Sequence, residues 1–273
     1  MDQSIEDFQK VVWDFYKARG RHEMLWRIPN AAGEFDPYKI LVSEMMLQQT
    51  QVARVATKYP EFIAAFPSVS ALAQSSLGDV LRVWQGLGYN RRAQYLWKTA
   101  QIVMTEYNGI FPQSINELVK LPGIGSNTAG AITAYSWNVP TVFIETNIRT
   151  VFIHHFFTDQ SSIADMELRT IVQNSLPIEP GKTREWYWAL MDYGSYLKQT
   201  IGNLNKLSKT YTKQSTFSGS KRQIRGMVIR LLIIEPQTLS MLTKEIKDDR
   251  LGDVLEELLA EALIRRNQNT YSL

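Results

Sequence analysis

Residues 118–134 read "LVKLPGIGSNTAGAITA", and the fold turns on how their centre is read. A helical approach stops at Pro122-Gly123-Ile124-Gly125, and a second helical segment starts at Ser126. The two glycines permit positive φ and a close approach of the main chain to another body. Behind them, the N–H groups in the first turn of the second helix face outward, which makes that end a ready phosphate site. An ordinary helix–turn–helix corner is the plainer alternative. The small residues Thr128, Ala129, Gly130 and Ala131 favour the more specific reading, a hairpin that grips a DNA phosphate.

Working outward, nearly the whole chain has helical periodicity. The spacing predicts helices over 5–19, 38–48, 51–65, 69–75, 77–84, 91–107, 115–120, 126–136, 147–157, 164–174 and 183–197, with turn signals between them. The β-branched run at 141–145 reads as an extended entry into a helix with Thr146 as its N-cap. Composition changes near residue 199, where a polar stretch rich in Ser, Thr, Gly and Lys begins. Beyond it, segments 222–234, 238–247 and 251–264 are helical, and the tail "IRRNQNTYSL" reads as a short hairpin. Three short helices and a wing predict a small winged-helix-like module. The fold class expected is therefore all-α, two-lobed, with that module at the C-terminus.

Composition narrows the chemistry. The 273 residues contain no cysteine, which excludes disulfides, a thiol nucleophile, thiolate zinc and a cysteine-ligated iron–sulfur cluster. Of three histidines, His154 and His155 are adjacent and diverge by about 100° on a helix, so no metal site is read from them. No run approaches the roughly 20 apolar residues of a membrane span, and no signal peptide is visible. The expectation is a cytoplasmic, nucleoid-associated protein with no membrane contact. Net charge is only +3, yet Lys198, Lys206, Lys209, Lys213, Lys221, Arg222 and Arg225 occur without one acid between them. Such a run suits a polyanion, with Lys206, Lys209 and Lys213 as candidate phosphate contacts; a solvated linker is the alternative.

Three further stretches carry chemistry. In "KILVSEMMLQQTQV" (39–52) Glu44 falls among Ile40, Leu41 and Leu47, where burial favours a held proton, as a general acid requires. A structural ion pair to Arg27 or Arg149 is the alternative there. Gln48 and Gln49 follow with two amides. In "WQGLGYNRRAQYL" (84–96), glycines, Tyr89, Arg91 and Arg92 combine flexibility, stacking and charge, the ingredients of a wedge that fills the gap left by an extruded base. In "VFIETNIR", Glu145 precedes a helix, whose dipole favours its ionised form. One protonated and one ionised carboxyl is the division of labour that cleaves a glycosidic bond.

These stretches, in this order, resemble the helix–hairpin–helix (HhH-GPD) DNA glycosylases, and within them the MutY-like adenine glycosylases. "SEMMLQQTQV", "WQGLGYNRRA", "FPQSINELVKLPGIGSNTAGAI", "ETNIRTVF" and "WALMDYG" carry the resemblance, which covers about residues 20–197. It implies a monomeric enzyme that binds duplex DNA containing a mismatch or lesion, flips a base and hydrolyses its N-glycosidic bond. The base implied is adenine opposite guanine or 8-oxoguanine. Glu44 falls on the family's catalytic acid, and Glu145 on the acid, usually Asp, that stabilises the sugar cation. Gln49 and Tyr89 fall on wedging residues, with Gln48 and Arg91 beside them. Gly123, Gly125 and Ser126 lie in the phosphate-binding hairpin, which in relatives holds a monovalent cation, Na+ or K+; no other cofactor is implied. Trp26, Arg27, Asn127 and Trp188 fall around the base pocket.

The resemblance also implies lobes of 1–31 with 146–197, and of 32–145. Residues 198–225 then form a basic loop in place of the iron–sulfur loop, and 226–273 the small module. Asn127 stands where bifunctional relatives carry a Schiff-base Lys, implying a monofunctional hydrolase. Lys198 stands at the first cluster cysteine. Trp188 stands where adenine glycosylases commonly have Gln or Glu, and an indole donates only through its ring N–H. Removal of uracil or thymine from G mismatches, or DNA binding without catalysis, are the competing expectations.

Overall fold

A computed structural model describes residues 4–157, 160, 162–209, 211–213 and 216–273. Its helices are α1 (Ile5–Arg19), α2 (Pro37–Leu47), α3 (Val52–Ala65), α4 (Val69–Gln74), α5 (Leu77–Trp84), α6 (Arg91–Glu106) and α7 (Ile115–Leu118). They continue as α8 (Ser126–Trp137), α9 (Thr146–Phe156), α10 (Asp165–Asn174), α11 (Thr183–Thr200), α12 (Lys221–Ile234), α13 (Leu239–Glu245) and α14 (Leu251–Ala260). The strands β1 (Gln237–Thr238), β2 (Arg265–Asn267) and β3 (Thr270–Ser272) form one antiparallel sheet in the order β1-β3-β2. No helix among the described residues is long and apolar enough to cross a membrane.

Local signals set the ends of these helices. Ser4 caps α1 by accepting from the Asp7 N–H at 3.1 Å, with Glu6 and Asp7 in the first turn and Lys17 and Arg19 in the last. Ser68, Ser76 and Thr238 cap α4, α5 and α13 in the same way. α8 stops at Asn138 in the left-handed conformation (φ +58°), a helix terminator. The Asn138 side chain then accepts from the Arg184 N–H at 2.8 Å.

The chain clusters into two compact units. The first comprises residues 1–40, 112–120 and 124–213. Its core forms where α11 packs on α9 and α1: Phe8 sits edge-on to Trp186 (5.8 Å) and Phe156 (5.0 Å), and Trp186, Tyr187 and Phe152 are fully buried. The α9–α11 crossing is backbone-close. A Cβ on Gly194 would lie 2.1 Å from the Asn147 carbonyl oxygen.

The second unit comprises residues 41–111, 121–123 and 214–273. α6 packs on α4 and α5, and α12 on α5 and α14. Helix, short strand, two helices and a terminal hairpin give the C-terminal segment the winged-helix order. The two-residue β1 is the one strand that the sequence does not announce.

Several expected boundaries move. The lobes divide at 40/41, with returns at 112–124, rather than at 31/32 and 145/146, and the C-terminal module clusters with 41–111 instead of standing alone. The physical reason is burial: α12 covers α5, and the Gln94 side chain donates to the Glu261 and Ala262 carbonyls, both at 2.9 Å. Residues 198–225 are not one loop. α11 runs on to Thr200, a 3₁₀ turn forms at Leu204–Leu207, and α12 begins at Lys221. Finally, α9 starts at Thr146, which makes Glu145 itself its N-cap residue.

Candidate functional site

In the second unit the site is built on the end of α2. Ile40, Leu41, Val42, Ser43, Met45 and Met46 are all buried, so α2 is enclosed on nearly every side rather than along one stripe. Glu44 is the half-buried exception among them. Arg27 pairs with Asp192 and Arg149 with Asp165. After Leu47 the chain turns through Gln48 and Gln49, the latter at φ +54°. Tyr89 adopts φ +48° at the end of the loop containing Gly86 (φ +90°) and Gly88 (φ +71°). Left-handed backbone in non-glycine residues is strained and gathers at functional sites. Two of the six such residues in the described chain fall at the two expected wedges.

Arg92 welds these loops together. Its Nη1 donates to the carbonyls of Met45 (2.7 Å), Met46 (3.0 Å) and Gln48 (2.6 Å). Its Nη2 donates to Thr50 Oγ1 (3.0 Å) and to the carbonyls of Leu87 (3.1 Å) and Gly88 (3.2 Å). Burial pushes the guanidinium down to about 10, which still leaves it charged at neutral pH. The sequence pairs Arg91 and Arg92 as surface charges; the structure separates them. Arg91 is exposed, donating to Tyr95 Oη at 2.6 Å, while Arg92 is a buried hub. Tyr89 is half-buried. Gly123 (φ +75°) passes so close to Tyr95 that a Cβ would come within 2.8 Å of its ring.

In the first unit α8 opens at Gly125, which has no side chain to cap with and has open space where a Cβ would stand. Ser126 and Asn127 are exposed on the first turn. Asn127 grips the peptide before Glu145: its Nδ2 donates to the Ile144 carbonyl (3.0 Å), and its Oδ1 accepts from the Ile144 N–H (3.3 Å). Glu145 follows as a half-buried residue whose side chain does not cap its own helix. Desolvation pushes its carboxyl up to about 7. This corrects the expectation that the helix dipole keeps Glu145 ionised; loss of water outweighs a favourable terminus here.

Arg27 and Trp188 come together, with the guanidinium carbon 5.3 Å from the indole centroid. They line a cleft of about 430 Å³ with Trp13, Tyr16, His22 and Glu185. Trp188 is only 8% exposed and stacks on Tyr135 at 6.0 Å, with Phe35 at 5.5 Å. Arg27 directs both terminal amines to Asp192, at 2.8 and 2.9 Å, and Arg21 adds its main-chain N–H and Nε, both at 2.8 Å, and Nη2 at 2.5 Å. Burial pushes the Asp192 carboxyl up, but the Arg27 hydrogen bonds and the two positive charges outweigh it and hold the group below its ordinary value. Trp26 is buried in the 3₁₀ turn Leu25–Arg27.

Lys206, Lys209 and Lys213 are exposed. The chain has no thiolates to hold an iron–sulfur cluster. The Leu204–Leu207 turn is instead stapled to α9 by buried Asn205, which donates to Thr150 Oγ1 at 2.8 Å. A parallel bridge between Ile163 and Ser208 completes the attachment. The sequence does not single out Asn205 or Gly194, and it does not reveal the buried role of Arg92. Arg92 sits in a motif already flagged, but nothing local distinguishes it from its neighbour.

Comparison with known proteins gives the family. Residues 42–177 match the family profile of the HhH-GPD superfamily base excision DNA repair proteins. Over 217 residues the chain is 35% identical to the adenine DNA glycosylase of Buchnera aphidicola subsp. Baizongia pistaciae, covering 77% of this chain and 60% of that protein. It spans little more than half the length of the other Buchnera adenine DNA glycosylases it matches. It is 31% identical over 287 residues to the Mycobacterium tuberculosis adenine DNA glycosylase, covering 96% of this chain and 91% of that one. A solved structure of a thermostable thymine-DNA glycosylase superposes with a TM-score of 0.59 at 21% identity, over 70% of this chain and 86% of that one. At that identity the likeness is one of fold.

Proposed function

The chain belongs to the HhH-GPD superfamily, within its adenine DNA glycosylase family, and on that premise we propose that it is a monofunctional DNA N-glycosylase of base excision repair. It acts as a monomer on duplex DNA, removing adenine mispaired with guanine or 8-oxoguanine. The observation that carries the reading is Glu44, a half-buried carboxylate in a helix largely closed to water, followed at once by a strained turn that Arg92 ties to the Tyr89 loop.

Glu44 delivers its proton to the base as the C1′–N9 bond breaks, so the bonding pair leaves with adenine. The oxocarbenium-like sugar that remains is stabilised by the Glu145 carboxylate. Water adds at C1′, and its proton passes to a carboxylate. Asn127 carries an amide with no nucleophilic amine, so no Schiff base forms with the sugar and strand cleavage does not follow. Gly123 and Gly125 let the hairpin main chain approach a DNA phosphate; a monovalent cation (Na+ or K+) bound at this hairpin would offset the phosphate charge. Gln48, Gln49 and Arg91 support extrusion, while Trp26, Arg27 and Trp188 stand beside the extruded base.

Trp188 favours one rival, since an indole in an aromatic cluster offers fewer hydrogen bonds than an amide: removal of thymine or uracil opposite G. The test is incubation with labelled duplexes carrying A opposite 8-oxoguanine, A opposite G, T opposite G and U opposite G, then alkali. Cleavage confined to the adenine strand is expected. Cleavage confined to the pyrimidine strand establishes the rival, and binding without any cleavage ends both. Glu44→Gln should abolish product while sparing DNA affinity; full residual activity would remove Glu44 from its role.

A further inference from the structure

The first helix of the C-terminal module reaches the Tyr89 loop. α12 opens with three cations, two of them held by carboxylates of α14 and its end. Lys221 pairs with Glu257 at 2.8 Å, and Arg225 pairs with Glu257 (3.3 Å) and with Glu261. Arg222 instead donates from Nη1 to the Tyr89 hydroxyl at 2.5 Å, with its guanidinium carbon 5.6 Å from the ring centroid. The Arg92 guanidinium lies 5.4 Å from the same centroid. Arg92 fixes the main chain of the loop through the Leu87 and Gly88 carbonyls, and Arg222 holds the phenol. A left-handed residue other than glycine persists only where its surroundings over-determine it, and these two guanidiniums supply that.

The third helix of the module is poorly suited to read DNA itself. α14 and the residue after it carry Asp253, Glu256, Glu257 and Glu261, and an acidic helix repels phosphate. Its carboxylates serve the unit internally: Glu257 and Glu261 bind Lys221 and Arg225, and Glu261 also meets Arg91 at 3.6 Å.

We propose that Arg222 is a positioning residue: through it the C-terminal module sets the Tyr89 side chain for insertion into duplex DNA, acting on the substrate by way of the tyrosine rather than by contacting phosphate. This rests on Tyr89 being the wedge of the glycosylase reading.

The test is a double-mutant cycle on the full chain with Arg222→Ala, Tyr89→Phe and both together. Tyr89→Phe keeps the ring and removes only the acceptor hydroxyl. The readout is affinity for a duplex carrying a tetrahydrofuran abasic analogue opposite guanine, at three salt concentrations, so it needs no cleavage. Each single change should weaken binding about 3- to 10-fold, the range for one hydrogen bond. The double variant should be no weaker than the worse single one, and Arg222→Ala should leave the salt slope unchanged. Hydrogen exchange at the Gly88 to Arg92 amides should quicken in both single variants.

Additive losses, or a salt slope reduced by about one unit in Arg222→Ala, make Arg222 a phosphate contact and overturn the proposal. So does an Arg222→Ala chain that binds like the parent. A parent chain that binds the abasic duplex and shows the coupling, yet releases no adenine, retains the positioning role and loses the glycosylase reading. A parent that does not bind the duplex loses both.

Discussion

Glu145 shows how a single position can oppose its own local signals. A carboxylate at a helix N-cap should be acidic, yet burial pushes this one up to about 7 from an ordinary value of 4.5. Between those values the folded protein holds more protons at this position than the unfolded chain. This contribution to stability is therefore present at low pH and is lost as pH rises through about 7. Glu145→Gln removes that penalty, so the variant's melting temperature relative to the parent should climb between about pH 5 and about pH 8. A difference that stays flat would mean the carboxyl titrates normally. If the ionised form stabilises the sugar, the parent's cleavage rate should also rise with pH through about 7. Asn127 fixes where that carboxylate stands, by clamping both polar atoms of residue 144. Asn127→Ala should slow single-turnover cleavage by up to about 10²-fold, the effect of an ångström-scale misplacement, with DNA affinity unchanged. Equal losses in rate and affinity would assign Asn127 to binding instead.

Between elements, the decisive contact is the crossing of α9 and α11. It is possible only because Gly194 lacks a Cβ, which would otherwise stand 2.1 Å from the Asn147 carbonyl oxygen. Asn147 lies in the first turn of α9, two residues after Glu145, so the same glycine governs packing and the placement of the acid. Gly194→Ala should cost about 1–3 kcal/mol or more, the usual penalty of overpacking, seen as a lower urea midpoint. It should also depress cleavage more than DNA binding. A variant as stable as the parent would show that the helices can separate without strain. The Leu204–Leu207 turn presents a related solution on α9. Where relatives are expected to use a metal cluster, this chain anchors the segment with Asn205 and the Ile163–Ser208 bridge, interactions that need no thiolate.

For the whole molecule, charge placement matters more than the net value of +3. Of the basic run from Lys198 to Arg225, Lys221 and Arg225 are consumed by carboxylates and Arg222 by Tyr89, while Lys206, Lys209 and Lys213 remain exposed. Replacing these three lysines with Gln should weaken DNA binding evenly across sequences. It should also lower the salt slope by about 0.9 for each phosphate that the lysines neutralise; an unchanged slope would make the segment a tether. Much of this protein is written in the sequence alone. The helix ends follow from caps such as Ser4, Ser76 and Thr238, the hairpin from Gly123 and Gly125, and the terminal module from its order of short helices and a wing. Those features depend on residues within a few positions of one another, so periodicity and turn chemistry expose them. Only the tertiary structure decided the rest: the elevated carboxyl of Glu145, the buried hub at Arg92, and the bond from Arg222 to a tyrosine 133 positions earlier. Each depends on which distant segments exclude water from a group or supply its partner, and spacing along the chain carries no record of that.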